Sequence, residues 1–199
     1  MYEPLPKMPL HLASRASRLG DMTEALYWAI DEAGLRLPAR RDIARHARVS
    51  EATISRRFRD SRSDEGRLVS MLVSARDRTY PPSWHERAWP HWVPESDLEL
   101  RDVRAWIACL AVASSAPPAA EAVCEAWEHE LGVIVEQLGG DVAPTDRGGD
   151  PEVVADAEAV QALLLGLSMK RVLAPELTWE HAVTLLRRVV AALGHESAA

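Results

Sequence analysis

Residues 39 to 58, Ala-Arg-Arg-Asp-Ile-Ala-Arg-His-Ala-Arg-Val-Ser-Glu-Ala-Thr-Ile-Ser-Arg-Arg-Phe, leave little room for anything but two short helices joined by a tight turn. The first helix turns Ile43, Ala44 and Ala47 to one face, and their small size lets another helix cross closely. A turn at Arg48 and Val49 follows. Ser50 is a good N-cap for the second helix, because its hydroxyl accepts from a backbone N–H that the first helical turn leaves unpaired. Val49, Ile54 and Phe58 are expected to be the buried stripe of that second helix. The remaining positions, Glu51, Ala52, Thr53, Ser55, Arg56 and Arg57, carry short, polar or cationic groups of the kind that enter a major groove of DNA and touch its phosphate walls.

Upstream, Leu26, Ala29, Ile30 and Ala33 repeat at i, i+3, i+4 and i+7; Asp21-Met22-Thr23-Glu24 fits a capping box, and Gly34 stops the helix. The formal charge of the chain is -7, which spread evenly would argue against a nucleic-acid partner. Residues 1 to 80, however, hold 15 Lys plus Arg against 11 Asp plus Glu, or +4, leaving 8 against 19, or -11, for the rest. Residues 36 to 62 alone hold 9 Arg against 3 acids. A basic head on an acidic body lets the head meet phosphate while the body avoids it.

The N-terminal 20 residues read as a Pro-rich mobile arm, in which Arg15 and Arg18 either reach a minor groove or make no contact. From Ser63 or Asp64 a long helix is expected to reach about Tyr80, with Leu68, Met71, Leu72 and Ala75 inward, ending at Pro81-Pro82. An irregular segment rich in Trp84, Trp89 and Trp92 precedes helices at about 97–113, 118–138, 156–173 and 178–193, with a Gly-rich loop from 139 to 151. No strand pattern occurs. The expected fold is all-α: an arm over 1–20, a helix-turn-helix head over 21–63 and a helical body over 64–199.

Chemistry that would mark an enzyme is missing from the sequence: there is no Gly-rich phosphate loop after a strand, no Gly-x-Ser-x-Gly elbow and no His-Glu-x-x-His. Cys124 and His129 lie about 140 degrees apart around a helix, and His85 and His91 meet only if the irregular segment brings them together, so neither a metal site nor a cofactor is expected. Two cysteines, Cys109 and Cys124, are too few for a disulfide framework and suit a reduced, cytoplasmic protein. An N-terminus broken by Pro4, Pro6 and Pro9 is not expected to be a signal peptide, and no apolar run approaches a membrane span.

Ile43-Ala44, Ala47, Val49-Ser50, Thr53-Ile54 and Phe58, after an amphipathic helix ending at Gly34, together resemble the DNA-binding domain of the tetracycline-repressor (TetR) family of bacterial transcription regulators, over roughly residues 22 to 58. Leu165-Gly166-Leu167 and Pro175-Glu176-Leu177-Thr178-Trp179-Glu180 are similar to that family's last two helices. Three features depart from the pattern. Arg48 stands where members usually carry Gly, Ser55 stands where Tyr is common, which shifts binding work to Arg56 and Arg57, and Arg59 to Gly66 stretch a link that is normally short.

The resemblance implies a homodimeric regulator of repressor type that holds a two-fold symmetric operator in double-stranded DNA and releases it when a small apolar or aromatic molecule enters the body. Thr53, Ser55, Arg56 and Arg57 are then the expected base-reading residues, beside Ser50, Glu51 and Ala52, with Arg40, Arg41 and Arg62 on phosphates. Met71, Trp89, Trp92, Trp106, Cys109, Trp127 and Gln161 are candidate pocket residues, the alternative for the tryptophans being plain core. The apolar stripes Val160, Leu164, Leu167 and Ala182, Leu186, Val189, Val190 either pair with a second copy as a four-helix interface or are consumed by the chain's own core. Two rival readings are a regulator that answers to a protein partner or to no ligand, and a helical interaction protein or enzyme without DNA binding.

Overall fold

The computed structural model describes residues 22, 24–34, 36–57, 68, 69, 72, 89–139, 150–174 and 176–194, and all regular structure among them is helical. The expectations for the arm with Arg15 and Arg18, the Asp21 capping box, Phe58, Arg62, Met71, Trp84, His85, the division at 63/64 and the loop over 140–149 concern residues outside those described.

Helix α1 occupies residues 24–33 and buries Ala25, Leu26, Ala29 and Ile30. It stops at Gly34, whose φ of 65° is open to a residue without Cβ and whose N–H donates to the Asp31 carbonyl at 3.4 Å. Helix α2 (Arg40–His46) and helix α3 (Glu51–Arg57) follow, seating Ile43, Ala44 and Ile54 in the core. Val49 departs from the expected stripe: it is 39% exposed. It belongs to the turn rather than to α3, and Arg48 before it is left-handed at φ 53°, so the i, i+5 spacing from Val49 to Ile54 carries no helical register.

Leu68, Val69 and Leu72 are helical and buried, in keeping with an inward-facing connecting helix. A 3-10 turn at Trp89–Trp92 leads into the body helices α4 (Asp97–Ala113), α5 (Pro117–Gln137), α6 (Pro151–Leu173) and α7 (Trp179–Ala192). Each start has a local cause. Ser96 and Glu99 form a complete capping box on α4, Pro117 occupies the first turn of α5, and the Thr178 hydroxyl accepts from His181 N–H at the start of α7. Helix α6 begins five residues before the expected 156, because Asp150 caps it and Pro151 sits in its first turn, where a missing N–H costs nothing.

Two apolar clusters organise the packing. One joins Leu26, Ile30, Ile43, Ile54, Val69 and Leu72 to Ala105, Trp106, Cys109, Ala119 and Val123, so the head shares its core with α4 and the first half of α5. The other gathers Trp89, Trp92, Val133, Ile134, Val160, Leu164, Leu167, Ala182, Leu186 and Val190. Of the stripes expected at a dimer interface, Val160, Ala182, Leu186 and Val190 are 0% exposed in the single chain, and Leu164 and Leu167 are 5% exposed. They are therefore core residues of one protomer, with no surface left for a partner; Val189 alone of that set is half-buried. The α7 stripe is broad because it closes over α6 and the 3-10 turn.

Candidate functional site

In the head, the Ser50 hydroxyl accepts from Thr53 N–H at 3.2 Å and lies 2.9 Å from Thr53 Oγ1, which fixes the first turn of α3. Arg40 Nη1 donates to Ser55 Oγ at 3.2 Å, tying the start of α2 to α3. Ser50, Glu51, Ala52 and Arg56 are exposed, and the Arg41 side chain is 80% exposed, within 3.8 Å of Asp42. Thr53 and Ser55 are half-buried, while Arg57 closes α3. The outward surface of α2 and α3 thus offers hydroxyl, methyl and guanidinium groups from a rigid pair of short helices.

Two other cations of α2 turn back onto α1. Arg45 hydrogen-bonds Glu32, and His46 Nε2 lies 3.3 Å from Glu32 Oε1. Desolvation pushes the Glu32 carboxyl up, but the His46 hydrogen bond and the charges of Arg45 and His46 outweigh it and hold that carboxyl below its ordinary range. One step further toward the body, burial raises Asp31 against the pull of Arg104 and Arg101, with Arg104 Nη1 at 3.8 Å. The Arg101 guanidinium sits over Tyr27 and Trp28, 5.7 and 5.0 Å from their ring centres.

Between the body helices lies a cavity of about 60 Å³. Helix α4 supplies Glu99, Asp102, Val103 and Trp106 to its wall, and α5 supplies Glu130. Leu164, Leu165 and Ser168 come from α6, and His91, Trp92 and Pro94 from the 3-10 turn and the strand of chain after it. Arg171 fastens that last wall by donating to the carbonyls of Pro94, Glu95 and Leu177 at 3.1, 3.3 and 3.0 Å, and Trp179 Nε1 donates to Val93 at 3.2 Å. The sequence reading missed Arg171 and Trp179. Nothing in their spacing signals a role, since apart from Leu177 their partners are backbone carbonyls 76 to 86 positions away.

Of the expected pocket residues, Trp92 and Trp106 line the cavity. Trp127 stands behind Trp106 in an edge contact, 6.4 Å between centres at 76°, and Gln161 braces it by donating to the Trp127 carbonyl at 2.9 Å and to Glu130 at 3.2 Å. Trp89 is fully enclosed and packs 5.8 Å from Trp92, whereas Cys109 is fully enclosed in the cluster shared with the head. Neither reaches the cavity, because each belongs to a core face of its segment. Leu164, expected at a dimer interface, lines the cavity instead, and the carboxylates Glu99, Asp102 and Glu130 were not anticipated. Among the described residues no group of three or more His, Cys, Asp or Glu is placed to hold a metal, and no helix is long and apolar enough to cross a membrane.

Residues 84–195 match the family model of BetI-type transcriptional repressor C-terminal domains. Among solved structures, a transcriptional regulator from Rhodococcus sp. Rha1 superposes with a TM-score of 0.71 at 17% identity, covering 88% of this chain and 95% of that one. A protein of Pseudomonas aeruginosa PAO1 assigned as a transcriptional regulator gives 0.68 at 17% identity, with 93% and 95% covered. A Rhodococcus sp. structure assigned to the TetR family gives 0.67 at 19% identity, with 89% and 98% covered. No curated protein matches the chain. With a helix-turn-helix pair in its head and more than half its length matched by a family model, the chain belongs to the TetR family, whose members are transcription regulators rather than enzymes.

Proposed function

We propose that this regulator is a homodimeric repressor with an arm over 1–20, a DNA-reading head over 21–63 and an effector-binding, dimerising body over 64–199. It grips a two-fold symmetric operator and lets go when a small molecule enters the cavity. The observation that carries the reading is the outward array of Arg41, Ser50, Glu51, Ala52 and Arg56 on α2 and α3, with Arg57 beside them in sequence. Thr53, Ser55 and Arg40 complete the surface through short hydrogen bonds, and Arg62 extends it on sequence grounds. Two such heads must stand about 34 Å apart to read successive major-groove faces, which calls for a dimer.

The dimer surface we favour is the outer face of α6, where Ala155, Ala159, Ala162 and Gly166 are exposed and Leu173 is 61% exposed. A Cβ at Gly166 would meet nothing within 4 Å in the single chain, so its own packing does not require glycine there. A mid-helix glycine costs roughly 1 kcal/mol relative to alanine, and close approach of a second helix offsets that. Leu185 and Val189 of α7 are half-buried and are candidates to add to this surface. An exposed free thiol at Cys124 suits the reducing cytoplasm. The test is a titration of the protein against genomic duplex fragments at several salt concentrations: selective, salt-sensitive binding by a dimer is expected, and its absence would sink the reading.

A further inference from the structure

A hydroxyl group on a helix ordinarily donates its proton to a carbonyl about one turn earlier. Thr184 Oγ1 does so to Glu180 at 2.7 Å, and Ser114 and Ser115, at the end of α4, do so to Ala111 and Val112 at 2.7 and 3.2 Å. Ser55 on α3 departs from that habit. Its Oγ accepts from Arg40 Nη1 at 3.2 Å, and among the described residues no carbonyl, carboxylate or hydroxyl oxygen takes its proton. A guanidinium offers only donors, so an oxygen bonded to it must turn its own proton elsewhere. Arg40 has a further interaction besides, so this bond is not its only anchor.

The place of Ser55 on the helix gives that proton a direction. Glu51 and Ala52 lie one turn before it on the same face of α3, and both are exposed, as is its neighbour Arg56. A phosphate laid on this face would meet the Glu51 carboxylate. A base edge carries no net charge, and the major groove presents acceptors suited to a hydroxyl proton: N7 of either purine, O6 of guanine and O4 of thymine.

We propose that Arg40 and Ser55 form one specificity-determining unit. The guanidinium engages the oxygen of the Ser55 hydroxyl, and the proton left outward reads an acceptor on a base edge of the operator. Arg40 is then a positioning residue, a role different from the phosphate contact that its charge alone suggests. The amino groups of cytosine and adenine, which are donors, meet an oxygen already engaged by a cation. This deepens the DNA-reading role proposed above and rests on it.

The test uses the full chain and a tight-binding duplex selected from a random pool. Single bases are replaced by 7-deazaguanine or 7-deazaadenine, which lack N7, or by 6-thioguanine or 4-thiothymine, whose sulfur is a weak acceptor. Removing the acceptor that Ser55 reads is expected to weaken binding by the unaltered protein about 3- to 10-fold per half-site. Ser55→Ala is expected to bind the unmodified duplex more weakly by a similar factor and to be indifferent to that replacement, while Ser55→Thr, which keeps the hydroxyl, stays sensitive. Arg40→Met is expected to lose the sensitivity too, because the released Ser55 hydroxyl turns to the Glu51 carbonyl; Arg40→Lys, which keeps a cationic donor, retains part of it. Melting curves check that each variant folds, and the two Ser55 variants with Arg40→Lys carry the test if Arg40→Met does not. An Arg40 that serves the fold alone would lower affinity for every duplex by one factor and leave the sensitivity in place. That result overturns the proposal, as do equal sensitivities in the unaltered protein and Ser55→Ala, or a Ser55-dependent loss seen only when methylphosphonate replaces a phosphate. Selective duplex binding with any of these outcomes leaves the DNA-reading head standing, whereas a chain that selects no duplex removes both.

Discussion

The Arg101 guanidinium lies 5.0 Å from the centre of the Trp28 ring, and its chain neighbour Asp102 faces the cavity. One helix therefore touches both the first helix of the head and the proposed ligand space, so any displacement of α4 by an occupant reaches α1 through a direct contact. Trp28 is 49% exposed, which places this cation–π contact at the weak end of the range. Arg101→Met keeps the aliphatic stem and removes the charge. It is expected to lower unfolding stability by about 0.5 to 1 kcal/mol. A urea midpoint equal to that of the unaltered protein would remove Arg101 as a clasp between head and body.

Arg56 is exposed on α3, and Arg57 follows it in the same helix. Replacing either with alanine is expected to weaken operator binding by about 1 to 3 kcal/mol, with relaxed base discrimination where the contact is to a guanine edge. Arg41 is 80% exposed on α2, and the proposed operator complex sets it on phosphate. Arg41→Ala is expected to lower affinity for all sequences alike and to reduce the salt slope by about one unit. Fluorescence anisotropy across a salt series separates the two behaviours, and an unaltered affinity in the Arg56→Ala, Arg57→Ala double variant would refute the assignment of α3 as the recognition helix.

The head was legible because its signals are local. The Ser50 cap, the Gly34 stop and the spacing of Ile43, Ala44 and Ile54 each act within a turn or two of chain, and each is observed. The body was legible only as helices. An apolar stripe such as Ala182, Leu186 and Val190 states that a face is buried but not what buries it, and here the same chain does. The cavity wall was harder still. Glu99 caps α4, and only the packing of α4 against α5 and α6 shows that it also borders an open space.

Two substitutions distinguish the core stripe from the outer face of α6. Leu186 is 0% exposed, so Leu186→Arg places an unpaired charge in the protomer's own interior and is expected to unfold it. Ala162 is exposed on the face that includes Ala159 and Gly166. Ala162→Arg is expected to leave the fold and melting curve of the protomer in place while yielding monomers with poor operator affinity. Light scattering coupled to size exclusion reads the outcome, and a fully dimeric Ala162→Arg would move the interface elsewhere.

Glu32 makes stability depend on acid. A carboxyl whose proton affinity is depressed in the folded state binds fewer protons folded than unfolded, so stability rises with pH between its two titration points. The contribution of Glu32 is complete above its ordinary value of 4.5 and is lost as pH falls through its lower folded value. Asp31 acts in the opposite sense: burial raises it above 3.8, so its contribution to stability declines as pH climbs through the raised value. Glu32→Gln is expected to flatten the loss of stability on acidification below pH 4.5. Urea unfolding at a series of pH values is the measurement, and an acid limb identical to that of the unaltered protein would detach Glu32 from Arg45 and His46.

Arg48 is the only non-glycine residue with positive φ among those described, at 53°, and it stands in the turn between α2 and α3. The turn is closed by hydrogen bonds from Arg48 N–H to the Arg45 carbonyl at 3.3 Å and from Val49 N–H to the Ala44 carbonyl at 3.0 Å, so the conformation is imposed by the helix-turn-helix geometry rather than chosen by arginine. A left-handed conformation costs a residue with Cβ roughly 1 to 2 kcal/mol. Glycine avoids that cost but loses more backbone entropy on folding, which offsets part of the gain. Arg48→Gly is therefore expected to stabilise the protein by about 1 kcal/mol, a rise of about 2 to 4 °C in melting temperature for a chain of this size. It also deletes an exposed cation from the basic head. If Arg48 serves only the turn, DNA affinity and its salt slope stay constant while the melting temperature rises. A loss of about one unit of salt slope would instead show that Arg48 is kept, despite its strain, for a phosphate contact. A fall in melting temperature would mean that the left-handed conformation is not strained in this turn.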